Sequence, residues 1–505
     1  MKGLLSMLDA SRERKAGVFL GYINYLIRIC IQLIYVPVML KLLGQSEYGV
    51  YQLVASLIAY LNLLNFGFSG AYLRFYAKCK GDKKEEATLN GTYLLVFSVL
   101  GLIAFFLGLV MTFNSRVILG TKLTSTELEL AKVLFFILSI NMAITFPISV
   151  LSSIVTAKEE FLFQKIVEIL KTLANPCFTI VLLILGKGSV GLVIITTVIT
   201  LISGIVNLWY VLSKLKIKFS FVDFDTSLVK EVSTFSFFIF LSSVIDQINW
   251  NVDKFILGRI VGTTAIAVYS VGAQINNLYI SASDMTAIVM APKVNNIVAT
   301  EINPMPRLND IFIKVGRIQA YIVLFIVTGF IVLGREFITL WAGEDYVEAY
   351  IITLLLIVPA AIPLIQSIGI DIQRALNKHQ IRSVVYAGIS VFNIFISVPL
   401  VYKLGATGAA IGTAIALLFG NGIIMNVLYI KYIGLDVRKF WKKIFPIFCT
   451  PILAMLSIFV INKVHADYSW FDFILKGILF TSIYGLTAFF ITSNKEEKSL
   501  IRSIK

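Results

Sequence analysis

Along nearly its whole length the chain alternates long apolar stretches with short polar breaks. Each stretch is close to the roughly 20 residues that a helix needs to cross the hydrocarbon core of a bilayer. Fourteen can be marked, at 16–40, 48–72, 91–113, 131–156, 163–185, 188–212, 234–258, 264–291, 315–333, 348–372, 382–404, 407–431, 443–463 and 470–492. The solvent for most of this chain is therefore lipid. Charged residues make up 14% of it, against roughly 25% in a soluble domain, which excludes a soluble enzyme. The longest connection is only about two dozen residues, too short for a catalytic domain outside the membrane, so no enzymatic activity is expected. The opening residues, Met1 to Lys15, run into an apolar stretch with no small-residue cleavage site, which reads as a retained helix.

The net charge of +15 is a topology signal before it is a partner signal. With both termini in the cytoplasm, the inside segments hold about 31 Lys and Arg and the outside segments about eight. That asymmetry sets the orientation and absorbs most of the basic charge, leaving nucleic-acid binding without support. Cys30, Cys79, Cys177 and Cys449 lie far apart, and His379 and His465 fall in different loops, so neither a disulfide framework nor a metal centre is expected. No cofactor is expected either.

Compared with itself at a shift of 218 residues, the chain lays KLLGQSEYGVY (41–51) over RIVGTTAIAVY (259–269), matching Lys41 with Arg259, Gly44 with Gly262 and Tyr51 with Tyr269. At a shift of 219, Leu185 and Gly186 meet Leu404 and Gly405, while Asn207 and Tyr210 meet Asn426 and Tyr429. Each repeat holds an even number of spans, so both halves enter the membrane from the same side. The expected fold is all-α and membrane-embedded, with about 14 transmembrane helices. Residues 1–218 form an N-terminal lobe and 219–436 a C-terminal lobe, related by a pseudo-twofold along the membrane normal; 437–505 add spans 13 and 14 and a tail. Such an arrangement suits rocking of one half against the other.

Residues 22–78, with LLGQSEYGVY as their most specific element, resemble the start of the Wzx-like polysaccharide-biosynthesis flippases of the multidrug/oligosaccharidyl-lipid/polysaccharide exporter superfamily. REFITLWAGEDY (335–346), read as an outside loop, and LGATGAAIGTAIA (404–416) are similar to the same family. The resemblance implies two six-helix bundles around a central cavity plus two extra helices, in the bacterial cytoplasmic membrane. It implies movement of an undecaprenyl-pyrophosphate-linked oligosaccharide from the inner to the outer leaflet. The partners it implies are that lipid-linked substrate, membrane lipids, a polymerase and glycosyltransferases of the same pathway, and a coupling cation. A cation-coupled drug exporter of the same superfamily, and a flippase for lipid II or a teichoic-type precursor, are the alternatives.

A charge at the bilayer centre costs about 2.5–3.5 kcal/mol on insertion scales, so an ionisable residue within a span needs a partner or water. Arg28 lies near the middle of the first span, with Asn24 and Gln32 one turn either way. Its planar fork suits phosphate oxygens; the competing reading is an arginine paired with a carboxylate. In the repeat register Arg28 meets Asp246 of the seventh span. Ser242, Asn249 and Asp253 share the face of Asp246, while Gln247, Asn251 and Lys254 widen the arc and apolar residues fill the rest. The eighth span carries Ser270, Gln274, Asn277, Ser281 and Asp284 as one stripe, and the second carries Asn62, Asn65 and Ser69 as a weaker one. In the fifth span Glu168 and Lys171 either pair or leave Lys171 as a second cation. The candidates for substrate binding are thus Arg28, Asn24, Gln32, Lys171, Lys254, Asn249, Gln274 and Asn277. Asp246, Asp253 and Asp284 are candidates for a coupling ion or for charge pairs.

Overall fold

The computed structural model describes residues 2–65, 68–79, 81–221, 240, 243–245, 247, 248, 250–464 and 469–502; for some of these, including 2–19 and 284–289, only the backbone is described. Among them the chain is helical almost throughout and has no strand, as an all-α membrane protein requires.

Nine helices among the described residues are long and apolar enough to cross a membrane, or ten with the bent pair Ala349–Ile365 and Ile368–Ala375. Two of the nine, Ile23–Asn65 and Gln380–Ile433, are 43 and 54 residues long, about twice one crossing. Each contains a break in its helical backbone, at Gly44 (φ 72°) and Gly405 (φ 59°), which lie in the turns expected between spans 1 and 2 and between spans 11 and 12. Counted as two crossings each, and with the bent pair as one, they bring the total to twelve. The seventh expected span falls partly outside the described residues, and the eighth corresponds to the helix Thr263–Thr300. The ninth runs on to Trp341, beyond its expected end at 333. Residues 335–341, expected in a loop, are its last two turns, because Ile338 and Trp341 are buried against the rest of the unit.

The chain divides into two compact units, Met1–Ala267 and Val268–Lys505. In the first, the helices Lys83–Phe113 and Ser125–Ala157 pack closely through small residues. A Cβ on Gly108 would fall 1.8 Å from the Ser139 hydroxyl, and one on Gly101 would fall 2.7 Å from the Ala143 carbonyl. The start of the helix after Gly44 is tied down by Glu47, whose Oε1 accepts from the backbone N–H and the hydroxyl of Ser189 at 2.5 and 2.7 Å. At Gly49 the backbone approaches Thr263 so closely that a Cβ would lie 2.0 Å from its carbonyl oxygen.

The second unit is centred on Phe312, stacked on Phe440 at 4.1 Å between ring centroids, with Ile365 and Tyr429 in the same cluster. Phe440 belongs to a short amphipathic helix, Val437–Ile444, that buries Val437, Phe440 and Ile444 and turns its basic residues outward. The kink at Gln366 is stabilised because that buried side chain donates to Asn426 Oδ1 at 2.8 Å.

Each unit contains one version of the same local arrangement. In the first, Asn175 accepts from Thr179 at 3.2 Å and bonds Thr196 on the next helix at 3.4 Å. In the second, Asn393 accepts from Ser397 at 2.8 Å and bonds Thr413 on the next helix at 3.3 Å. Asn175 and Asn393, and likewise Thr179 and Ser397, stand 218 residues apart. The glycines matched in the sequence comparison also share a backbone state. Gly44, Gly262, Gly186 and Gly405 all have positive φ, at 72°, 129°, 72° and 59°, where a Cβ would strain the turn. Finally, the π-helical turns Tyr210–Lys214 and Tyr429–Ile433 occupy matching positions at a shift of 219.

Candidate functional site

The polar face of the first span is laid beside the fifth. A Cβ on Gly21 would sit 3.9 Å from Cε of Lys165, and Tyr35 lies near Thr179. The two contacts keep the same residue offset, so the helices run parallel here. Arg28, midway between Gly21 and Tyr35, is then level with Lys171 and Thr172.

Glu168 pairs with Lys165 at 2.7 Å, so the expected pairing of Glu168 with Lys171 does not form. Helical side chains lean toward the N-terminus, which carries the Glu168 carboxylate toward Lys165. Lys171 is half-buried and has no ion pair among the described residues. Arg28 is exposed and likewise has none, while Asn24 and Gln32 are half-buried, with Asn24 Oδ1 buried and without a hydrogen bond among the described residues. An exposed arginine at mid-span meets either lipid or water, and the insertion cost opposes lipid.

A third cation enters from the seventh span. Lys254 donates to Gln52 Oε1 at 3.1 Å, and Gln52 in turn donates to the Tyr48 hydroxyl at 2.9 Å. Asn251 donates to Gln247 Oε1 at 2.6 Å, and Tyr60 of the second span donates to the Gln247 carbonyl at 3.4 Å. The polar arc expected on this helix therefore faces the second span at Gln247 and Lys254. Asp253 is 2% exposed. Asp246 and Asn249 lie outside the described residues.

On the helix Thr263–Thr300, Ser270 is buried, Gln274 half-buried and Asn277 exposed, so the expected stripe runs from the interior of the second unit to its surface. The side chain of Asp284 lies outside the described residues. In the second span Asn62 is exposed and Asn65 half-buried.

Two charge clusters were not anticipated. Lys476, only 3% exposed, meets Glu336 at 3.1 Å and Asp472 at 2.6 Å. Arg317 grips both carboxylate oxygens of Glu497 at 2.6 and 2.9 Å and donates to the carbonyls of Lys443 and Thr492 at 2.5 and 3.1 Å. The four-residue spacing of Asp472 and Lys476 was a readable signal for the first cluster. Nothing local pointed to the second.

Helices long and apolar enough to cross a membrane, in a chain that is helical almost throughout its described residues, define a multi-pass membrane protein. Among solved structures the fold is similar to "Lipid II flippase MurJ, inward closed conformation", with a TM-score of 0.75 and 17% identity over 93% of this chain and 98% of that one. It is also similar to an inward-facing multidrug resistance MATE transporter of the MOP superfamily, with a TM-score of 0.59 and 16% identity over 79% of this chain and 96% of that one. Residues 15–291 match the family described as polysaccharide biosynthesis protein, and the chain belongs to that family. Relatives include the "Putative O-antigen transporter" of Shigella flexneri, 23% identical over 77% of this chain and 91% of the relative. Another is "Uncharacterized membrane protein EpsK" of Bacillus subtilis (strain 168), 20% identical over 94% of this chain and 95% of the relative. The Wzx-like resemblance seen at 22–78 is thus matched by both family and fold.

Proposed function

We propose that this protein is a flippase that carries an undecaprenyl-pyrophosphate-linked oligosaccharide from the inner to the outer leaflet of the cytoplasmic membrane by alternating access. The observation that carries the reading is Arg28: a mid-span guanidinium on an exposed face, with no carboxylate partner among the described residues and with Lys171 level on the neighbouring helix. A diphosphate crossing the bilayer needs fixed positive charge along its path, and arginine supplies a bidentate donor for it. Lys254 extends the set, since its side chain is held by the neutral amide of Gln52. Names of relatives that refer to an O-antigen and to lipid II are consistent with a lipid-linked cargo. Asp246, Asp253 and Asp284 remain the proposed coupling or pairing carboxylates, and residues 1–218 and 219–436 the proposed lobes.

The test is complementation of a flippase-null strain, scored beside membrane protein levels. Arg28→Ala is expected to abolish polymer export with protein abundance nearly unchanged, and Arg28→Lys to retain part of the activity. Full complementation by Arg28→Ala would remove the phosphate role. Loss of the protein itself would assign Arg28 to structure.

A further inference from the structure

The second unit holds a cleft of about 610 Å³ with six basic residues and three carboxylates in its lining. Most of the acids are already engaged. Glu497 is held by Arg317, and Glu496 meets Lys314 at 2.9 Å. Arg307, one of the six bases, pairs with Glu301 outside the lining. Lys293, Lys439 and Lys443 have no ion pair among the described residues, and Asp310 is the one lining acid left to face them.

The placement of these lysines is informative. Lys439 and Lys443 stand four residues apart on the exposed side of Val437–Ile444, where like charges repel. That helix buries its apolar side and turns its basic side out, the form of a helix lying in the plane of a membrane surface. Immediately beyond it, Phe445 and Phe448 are 73% and 40% exposed, which places the cleft next to an apolar, lipid-facing surface. A soluble anion would need the charge alone. A lipid headgroup uses both the charge and the apolar neighbour.

We propose that Lys293, Lys439 and Lys443 bind the phosphate of an anionic phospholipid headgroup at the membrane surface, a site separate from the transport path. The tail carrying Glu496 and Glu497 walls the cleft and neutralises Lys314 and Arg317, leaving the three lysines for the lipid. This inference needs only that the chain spans a membrane, so it stands or falls independently of the cargo.

The experiment measures anisotropy of fluorescent phosphatidylglycerol, with fluorescent phosphatidylcholine as reference, on the full-length protein in dodecyl maltoside. The variant Lys293→Gln/Lys439→Gln/Lys443→Gln is expected to weaken phosphatidylglycerol binding roughly tenfold or more, because each lysine near an anionic headgroup contributes appreciably. The corresponding Lys→Arg variant is expected to bind as the wild type does. Lys214→Gln/Lys216→Gln/Lys218→Gln, the same charge change on exposed lysines of the first unit, is expected to leave binding unchanged. Equal affinity for the two lipids, or equal weakening by the first-unit variant, would overturn the site. Displacement of the lipid by excess inorganic phosphate would assign it to a soluble anion instead.

Discussion

Replacing Lys476 with methionine keeps the length of the side chain and removes its charge, so the outcome depends on what that charge holds. The lysine side chain is 3% exposed, and its two partners, Glu336 and Asp472, are 5% and 12% exposed. The substitution strands two carboxylates beside each other in a water-poor site. Removing one partner from a buried ion pair costs about 3–5 kcal/mol, because the remaining charge is left uncompensated. With two stranded carboxylates the upper end of that range is expected. Glu336→Gln should cost less, since Lys476 and Asp472 then balance each other. The combination Lys476→Met/Glu336→Gln/Asp472→Asn should recover most of the loss, because the buried charge is gone altogether. Heating purified protein and following the monodisperse fraction by size-exclusion chromatography gives the ranking. A Lys476→Met protein as heat-resistant as the wild type, or a triple variant weaker than the single one, would refute the reasoning.

Further perturbations test other parts of the structure. Burial first, and then the Glu85 carboxylate, push the Cys79 thiol above its ordinary range. Its thiolate is therefore scarcer than that of a free thiol at any given pH, and maleimide labelling in opened membranes should be slow at neutral pH, rise with pH, and quicken in Glu85→Gln. In sealed cells an impermeant maleimide should spare Cys79 and modify Glu344→Cys; labelling of Cys79 there would reverse the proposed orientation. Gly49→Ala should cost about 1–3 kcal/mol, since the added Cβ would meet the backbone of Thr263, which cannot rotate away. Gly485→Ala, with nothing within 4 Å of the added atom, should be neutral or slightly stabilising by thermal melting.

The apolar periodicity made the helical, membrane-embedded fold legible, because span length follows from bilayer thickness and needs no tertiary knowledge. The glycines at the repeat matches were legible for a similar reason: a positive-φ turn leaves few other choices of residue. The asparagines Asn175 and Asn393 were overlooked although they obey the same register, since a lone Asn in an apolar run shows its role only when its hydroxyl partners are seen. Side-chain pairing was the least legible part. Glu168 had a lysine three residues away on either side, and the choice between them rests on side-chain lean, which the spacing alone does not weigh. Arg317 and Glu497 are 180 residues apart, and Lys476 and Glu336 are 140 apart, distances at which no local pattern carries information.

The π-helical turns have a bearing on the history of the chain. A π turn holds one residue more than an α turn, and it is the usual way for a helix to absorb an inserted residue without displacing the rest of its length. For a chain that arose by duplication, the turns at Tyr210–Lys214 and Tyr429–Ile433, being at matching positions, date from before the two copies separated. The longer π stretch at Leu418–Ile424 has an α-helical counterpart within Gly188–Trp209, yet the shift of 219 holds on both sides of it, at Gly186 and Gly405 and at Asn207 and Asn426, so it added no residue to its copy. Within one pair of related helices, the backbone thus keeps one π turn common to both copies and a second in only one of them.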